Sequence, residues 1–146
     1  MNNNLEQTII SIIDKKYPLV TNLSNVSSIL KTNFPNTSWA GFYLVEKDKL
    51  FLGPFQGDVA CSVIEKGKGV CGTSFNTQKT IIVDNVLEFS GHIACSSTSR
   101  SEIVTPIIKN NKVVAIIDLD SNLYKNYTKN DKIQLEKISK ILSSLF

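Results

Sequence analysis

Only three cysteines and a single histidine occur in the 146 residues. An odd number of thiols cannot all pair, so the disulfide framework of a small extracellular domain is not expected, which leaves redox, catalytic, metal or packing roles. Cys61, Cys71, His92 and Cys95 are all the cysteine and histidine available for zinc. They lack the short Cys-x-x-Cys clasp of a structural site, so no bound metal is expected. A run of like charge is also missing: the 16 basic and 13 acidic residues leave a net charge of +3 with the lysines scattered, and nucleic acid is not indicated. The start, MNNNLEQTIISIIDKKYP, has no cationic lead, carries Glu6 and interrupts its apolar pattern at Asp14. Neither a secretory signal nor a membrane span is read there, and a cytoplasmic protein is expected. The glycine-rich EKGKGVCGTSF has no following Lys-Ser/Thr and so does not read as a phosphate loop. With no repeat or low-complexity tract, residues 1–146 are expected to form one domain, long enough to bury about two-thirds of the surface its unfolded chain exposes.

The apolar pattern that is present has two periods. Leu5, Ile9, Ile12 and Ile13 recur at helical spacing until Tyr17-Pro18, and Leu23, Val26, Ile29 and Leu30 repeat the signal until Phe34-Pro35. From Thr37 the period becomes two. Trp39, Gly41, Tyr43 and Val45 share one face and Ala40, Phe42 and Leu44 the other, so both faces are apolar and the strand is interior. Asp48-Lys49 reads as a tight turn into LFLGPF, which Gly53-Pro54 should break. A short helix is expected around Cys71, then a strand in TIIVDNV. SEIVTPII and KVVAIIDLDS form a hairpin about Asn110-Asn111, with Val114, Ile116, Asp118 and Asp120 on one face and Val113, Ala115, Ile117 and Leu119 on the other. Thr128 caps a last helix with a stripe of Ile133, Ile138, Ile141, Leu142 and Leu145. Two helices, five or six strands and a helix imply an α+β sandwich with an antiparallel sheet.

Chemistry concentrates between Gly91 and Ile108. GHIACSSTSRSEIVTPII holds His92, Cys95, a serine-rich turn and Glu102 in eighteen residues. A cysteine is a nucleophile only as its thiolate, so Cys95 needs an exposed setting rich in donors, which a Ser/Thr-rich turn can supply; a half-buried packing cysteine is the competing reading. Cys71, at the start of a short helix, is expected to have its thiol pKa lowered by exposed amides. Asp118 and Asp120 project side by side from a strand end, where aspartates also occur simply because strands stop.

The blocks WAGFYL, LGPFQGDVAC, GKGVCGTSF, GHIACSSTSRSEIV and DLDS, in this order, resemble the free methionine-R-sulfoxide reductases, a family of GAF-domain enzymes. The resemblance runs from about Trp39 to Ser121. One position departs from it: an acidic residue usually follows the cysteine of HIAC, where this chain has Ser96. The resemblance implies a GAF-like α+β fold, a central antiparallel sheet of about six strands with the N- and C-terminal helices on one face. It also implies reduction of free L-methionine-(R)-sulfoxide, with Cys95 as nucleophile passing through a sulfenic acid. Cys61 then matches a resolving cysteine that closes a disulfide, and Cys71 a second one.

Trp39 and Tyr43 match pocket aromatics suited to a thioether methyl group, and Glu102, Asp118 and Asp120 match the family's carboxylates. Three crowded acids suit a substrate ammonium, and they raise one another's pKa, so that Glu102 or Asp120 could deliver a proton to the sulfoxide oxygen. The substrate carboxylate falls to backbone amides near Ile93, Ala94 and Cys95. No bound cofactor is implied; thioredoxin, or dithiothreitol in vitro, would be the reductant, and a homodimer is expected. The segment from Gly57 to Gly72, rich in glycine, is expected to act as a lid. A GAF small-ligand or redox-sensing module without catalysis is the alternative, and it gains nothing from three thiols around its ligand.

Overall fold

The structure, a computed structural model, describes residues 3–93 and 95–146. Helix α1 (Asn3–Ile12) buries Leu5 and Ile9, and α2 (Leu19–Asn33) buries Leu23, Val26 and Leu30. The first helix ends well before Tyr17. Asn22 takes over the backbone there: its Oδ1 accepts from the Asp14 N–H at 3.1 Å and its Nδ2 donates to the Asp14 carbonyl at 2.8 Å, so the chain turns instead of continuing.

Six strands follow, β1 (Thr37–Glu46), β2 (Lys49–Gln56), β3 (Val63–Glu65), β4 (Ile81–Val83), β5 (Ser101–Lys109) and β6 (Lys112–Ser121). They form one sheet in the order β3-β2-β1-β6-β5-β4, every neighbouring pair antiparallel. Helix α3 (Gly69–Thr77) stands between β3 and β4 in sequence, and α4 (Lys129–Ser143) closes the chain. Thr128 caps α4 as expected. Its Oγ1 accepts from the Asp131 N–H at 3.3 Å while Asp131 accepts from the Thr128 N–H at 2.7 Å, a reciprocal capping box.

The period-two reading of β1 divides two cores. Ala40 and Phe42, with Ile103, Ile107, Ala115, Ile117 and Leu119, pack against α1, α2 and α4; each large side chain buried there contributes roughly 1.5–3 kcal/mol. Trp39 and Tyr43, with Val104 and Ile116, face the other way, against Val70, Cys71 and Phe75 of α3. The terminal helices thus share one face of the sheet, and the second face is left for α3 and the loops.

Four local expectations are corrected. The β1–β2 turn is Lys47-Asp48, both with positive φ (51° and 60°), one residue earlier than read; Lys49 already pairs with Glu46. Gly53-Pro54 does not end β2, because a register shift between Gly41 and Tyr43 absorbs it and because β3 pairs with β2 only along Lys49–Phe51, where no proline sits. A further shift between Ile107 and Ile108 leaves Val114 bulged. Val113 therefore packs on the α3 side and Val114 against the helices, the reverse of strict alternation. In α4 the stripe is Leu135, Ile138 and Leu142, while Ile133 is 44% exposed.

Candidate active site

Strand register assembles the acids. Glu102 of β5 lies opposite Asp120 of β6, and Asp118 lies opposite Val104; on the other flank of β6, Trp39 faces Asp120 and Gly41 faces Asp118. Three side chains from two strands therefore converge on the sheet face that α3 covers. Like charges directly opposite on a sheet repel, an arrangement no folding requirement explains. Gly41 lets Trp39 and Phe55 close over the β1 backbone beside Asp118. A Cβ there would collide with the Phe55 Cβ and the Trp39 ring, and Trp39 in turn stacks on Phe55 with ring centroids 5.2 Å apart.

Burial decides the electrostatics. Glu102 and Asp118 are 8% and 5% exposed. Burial, reinforced by the charges of Asp118 and Asp120, pushes the Glu102 carboxyl well above its ordinary range. Asp120 is pushed up in the same way, first by burial and then by Asp118, while a hydrogen bond from Ser99 Oγ at 3.1 Å opposes the shift. Asp118 is raised by burial alone, with hydrogen bonding from Glu102 and Cys71 pulling the other way, so it is the member that best holds a charge. Its Oδ1 has no hydrogen-bond partner among the described residues.

Cys71 approaches from α3, its Sγ donating to Glu102 Oε1 at 3.9 Å. The expectation of a lowered thiol pKa is overturned. Burial, then the charges of Asp118, Glu102 and Asp120, push the Cys71 thiol well up, and these outweigh the amides of a short helix start.

Cys95 and Cys61 are joined by a disulfide with Cα atoms 5.3 Å apart. Residues 34 apart in sequence meet because the loop after β2 and the loop before β5 both reach over the α3 side of the sheet. Two aromatic handles hold the Cys61 loop. Trp39 Nε1 donates to the Asp58 carbonyl and Tyr43 Oη to the Cys61 carbonyl, each at 3.0 Å. A cavity of about 100 Å³ lies beneath, lined by Trp39, Tyr43, Cys71, Ile93, Cys95 and the three acids; Cys61 is not among its lining residues.

Every expected site residue among those described thus meets at one cavity, with Cys61 behind it. Ala94 lies outside the described residues. The amide expectation changes in detail, since the Cys95 N–H donates to the Ile93 carbonyl at 3.0 Å and is occupied in the disulfide state. The disulfide also uses two members of the Cys61, Cys71, His92 and Cys95 zinc set. The lid expectation narrows: β3 pairs with β2, and a Cβ on Gly72 would strike the Glu65 carbonyl, so only residues 57–62 form a free-standing loop. Sequence reasoning missed Ser99 and Gly41. The serine-rich turn signalled donors without saying which one reached an acid, and Gly41 reads as an ordinary strand residue until its neighbours are known. Ser96, at the departing position, closes a local turn with Thr98.

A curled antiparallel sheet with terminal helices on one face and a ligand-sized cavity on the other defines a GAF domain, and the GAF-domain family model matches residues 23–145. The free methionine-R-sulfoxide reductase of Saccharomyces cerevisiae is 44% identical over an alignment 150 residues long, gaps included, covering 95% of this chain and 83% of the yeast protein. That of Escherichia coli is 42% identical over 123 residues, 80% of this chain and 74% of the relative. The X-ray structure of the Neisseria meningitidis enzyme in complex with its substrate superposes with a TM-score of 0.89 at 38% identity, covering 97% of this chain and 83% of that one. The chain belongs to the free methionine-R-sulfoxide reductase family and is an oxidoreductase of the GAF class. Among the described residues, no helix is long and apolar enough to cross a membrane.

Proposed function

We propose that this protein reduces free L-methionine-(R)-sulfoxide, as a single domain, with Cys95 as nucleophile. The observation that carries the reading is the Cys61–Cys95 disulfide at the edge of a cavity holding three buried acids. The Cys95 thiolate attacks the sulfoxide sulfur while Glu102 or Asp120, both kept protonated by burial, passes a proton to the oxygen. Methionine leaves and Cys95 becomes a sulfenic acid. The Cys61 thiolate then attacks Cys95 Sγ, the sulfenic hydroxyl departs with a proton from solvent as water, and the disulfide forms. A dithiol of the thioredoxin type reduces it, taking up the oxidation as its own disulfide. Cys95 borders the cavity and Cys61 does not, which supports this order of roles. Asp118, the acid least raised and with an unsatisfied oxygen, suits the substrate ammonium. Trp39 and Tyr43 offer the apolar wall for the methyl group. A cycling thiol pair fits a reducing, cytoplasmic setting, and we expect the enzyme to work as a homodimer.

Incubation of reduced protein with racemic free methionine sulfoxide and dithiothreitol or thioredoxin, resolving the two epimers, tests the reading. Loss of the R epimer alone is expected. Oxidation of the cysteine pair without turnover of either epimer would return the protein to the sensor class.

A further inference from the structure

We propose that Cys71, Glu102 and Asp118 also form a binding site for a thiophilic divalent cation of the zinc class, which excludes the substrate ammonium from the same acids. The exclusion rests on the function proposed above; the cation site does not.

The three residues come from α3, β5 and β6, all are buried, and their ligand atoms lie within 4.8 Å of one another. Cys71 Sγ and Glu102 Oε1 are 3.9 Å apart. A tetrahedral zinc ion with its sulfur ligand at about 2.3 Å and its oxygen ligand at about 2.0–2.2 Å holds the two roughly 3.5 Å apart, so the pair needs to close by only a few tenths of an ångström. Asp118 supplies the second observation. Its buried Oδ1 has no hydrogen-bond partner among the described residues, and an acceptor in that state is stabilised by a cation. None of Glu102, Asp118 and Asp120 pairs with a basic side chain among the described ion pairs. The adjoining cavity of about 100 Å³ has room for an ion that keeps a water. One thiolate with two carboxylates selects zinc, cobalt or cadmium over magnesium or calcium, whose hard ions prefer all-oxygen sites. Binding displaces the thiol proton of Cys71 and the carboxyl proton of Glu102 to solvent, forming the metal–sulfur and metal–oxygen bonds with no change of oxidation state.

The disulfide-bonded protein is the natural test material, because Cys71 is then its one free thiol. Titration with Co²⁺ should produce a thiolate-to-cobalt charge-transfer band that saturates at one equivalent and is abolished by Zn²⁺. The band should be absent in Cys71→Ser, and Asp118→Asn should bind cobalt at least tenfold more weakly. In the Cys61→Ser/Cys95→Ser double variant, which keeps Cys71 as its one thiol and has no disulfide in the substrate's space, free methionine sulfoxide should displace the metal. Absence of the band in the parent protein, or unchanged zinc retention after desalting in both variants, would overturn the site; metal that methionine sulfoxide does not displace would overturn the exclusion. The disulfide form does not turn over, so the titration and the reductase assay fail independently.

Discussion

Replacing Glu102 by glutamine should stabilise the protein, and more so as pH rises. The ligand oxygens of Glu102 and Asp118 lie within 4.8 Å of each other, and Asp120 sits opposite Glu102 across the strands. At that separation and an effective dielectric of about 20, two unit charges repel by about 3.5 kcal/mol. The folded protein avoids the repulsion by keeping Glu102 protonated, which is why its carboxyl titrates far above the ordinary range. A group whose pKa is raised on folding holds its proton more tightly in the native state. Stability is therefore intact below the unfolded carboxylate range, near 4.3, and is lost as pH climbs toward the folded value, by about 1.4 kcal/mol per unit of pH at most. Glutamine carries no charge to suppress, nearly matches the shape and still has an N–H to offer Asp118. The variant and parent should differ by no more than about 1 kcal/mol near pH 5 and by roughly 2–3 kcal/mol at pH 8, about 5–10 °C in Tm for a domain of this size. Thermal melts of reduced protein between pH 5 and 8 read this directly, with turnover falling in the same variant. A gap independent of pH, or a variant less stable than the parent at pH 8, would refute the electrostatic account of the cluster.

Cys95→Ser should abolish reduction with either reductant at a Tm unchanged from that of the reduced parent, because a hydroxyl fills the thiol's space but is not ionised at neutral pH; residual turnover would move the nucleophile elsewhere. Cys61→Ser should release one equivalent of methionine per protein and then stall with thioredoxin, as quench-flow and mass spectrometry of the oxidised protein would reveal; sustained thioredoxin-driven cycling would assign resolution to Cys71. N-acetyl methionine sulfoxide lacks the ammonium and would leave a buried acid unpaired, at roughly 1–3 kcal/mol, so kcat/KM should fall about 5- to 150-fold against the free amino acid, and equal values would remove the acids from recognition.

The fold was legible wherever a period ran long enough to be counted. The two-residue alternation of β1 sorted Trp39 and Tyr43 from Ala40 and Phe42 correctly, and these are the two cores of the molecule. It failed at Val113 and Val114, where a bulge adds a residue to one strand and inverts the faces, and a bulge leaves no mark in hydrophobicity. The acids were legible as residues and as an order of blocks. Their mutual placement was not, since it depends on the β5–β6 register that sets Glu102 against Asp120. Cys71 is the clearest failure. Local sequence put it at a helix start and implied an acidic thiol, while the fold buries that helix start on three carboxylates, and long-range burial outweighs a short helix's dipole.

On the proposed reading, the same two side chains wall the substrate and anchor the residue that finishes its reduction. Trp39 and Tyr43 turn their rings to the cavity, yet a buried indole N–H or phenol still needs a partner, and both find one in the Cys61 loop, at the carbonyls of Asp58 and Cys61. Substrate beside Cys95 and Cys61 bonded to Cys95 compete for one space, so the loop has two positions to satisfy. Its ends are fixed: Gly57 packs on the Trp39 ring with a φ of +137° that a side chain rarely adopts, and the Ser62 carbonyl accepts from the Leu52 N–H at 3.0 Å. Moving what lies between them breaks two hydrogen bonds, each of net worth roughly 0.5–1.5 kcal/mol, and leaves β3, α3 and the acids in place. The exchange of substrate for resolving thiol is thus a small local step on a fixed sheet, which is why the four residues between Gly57 and Ser62 are enough to make it.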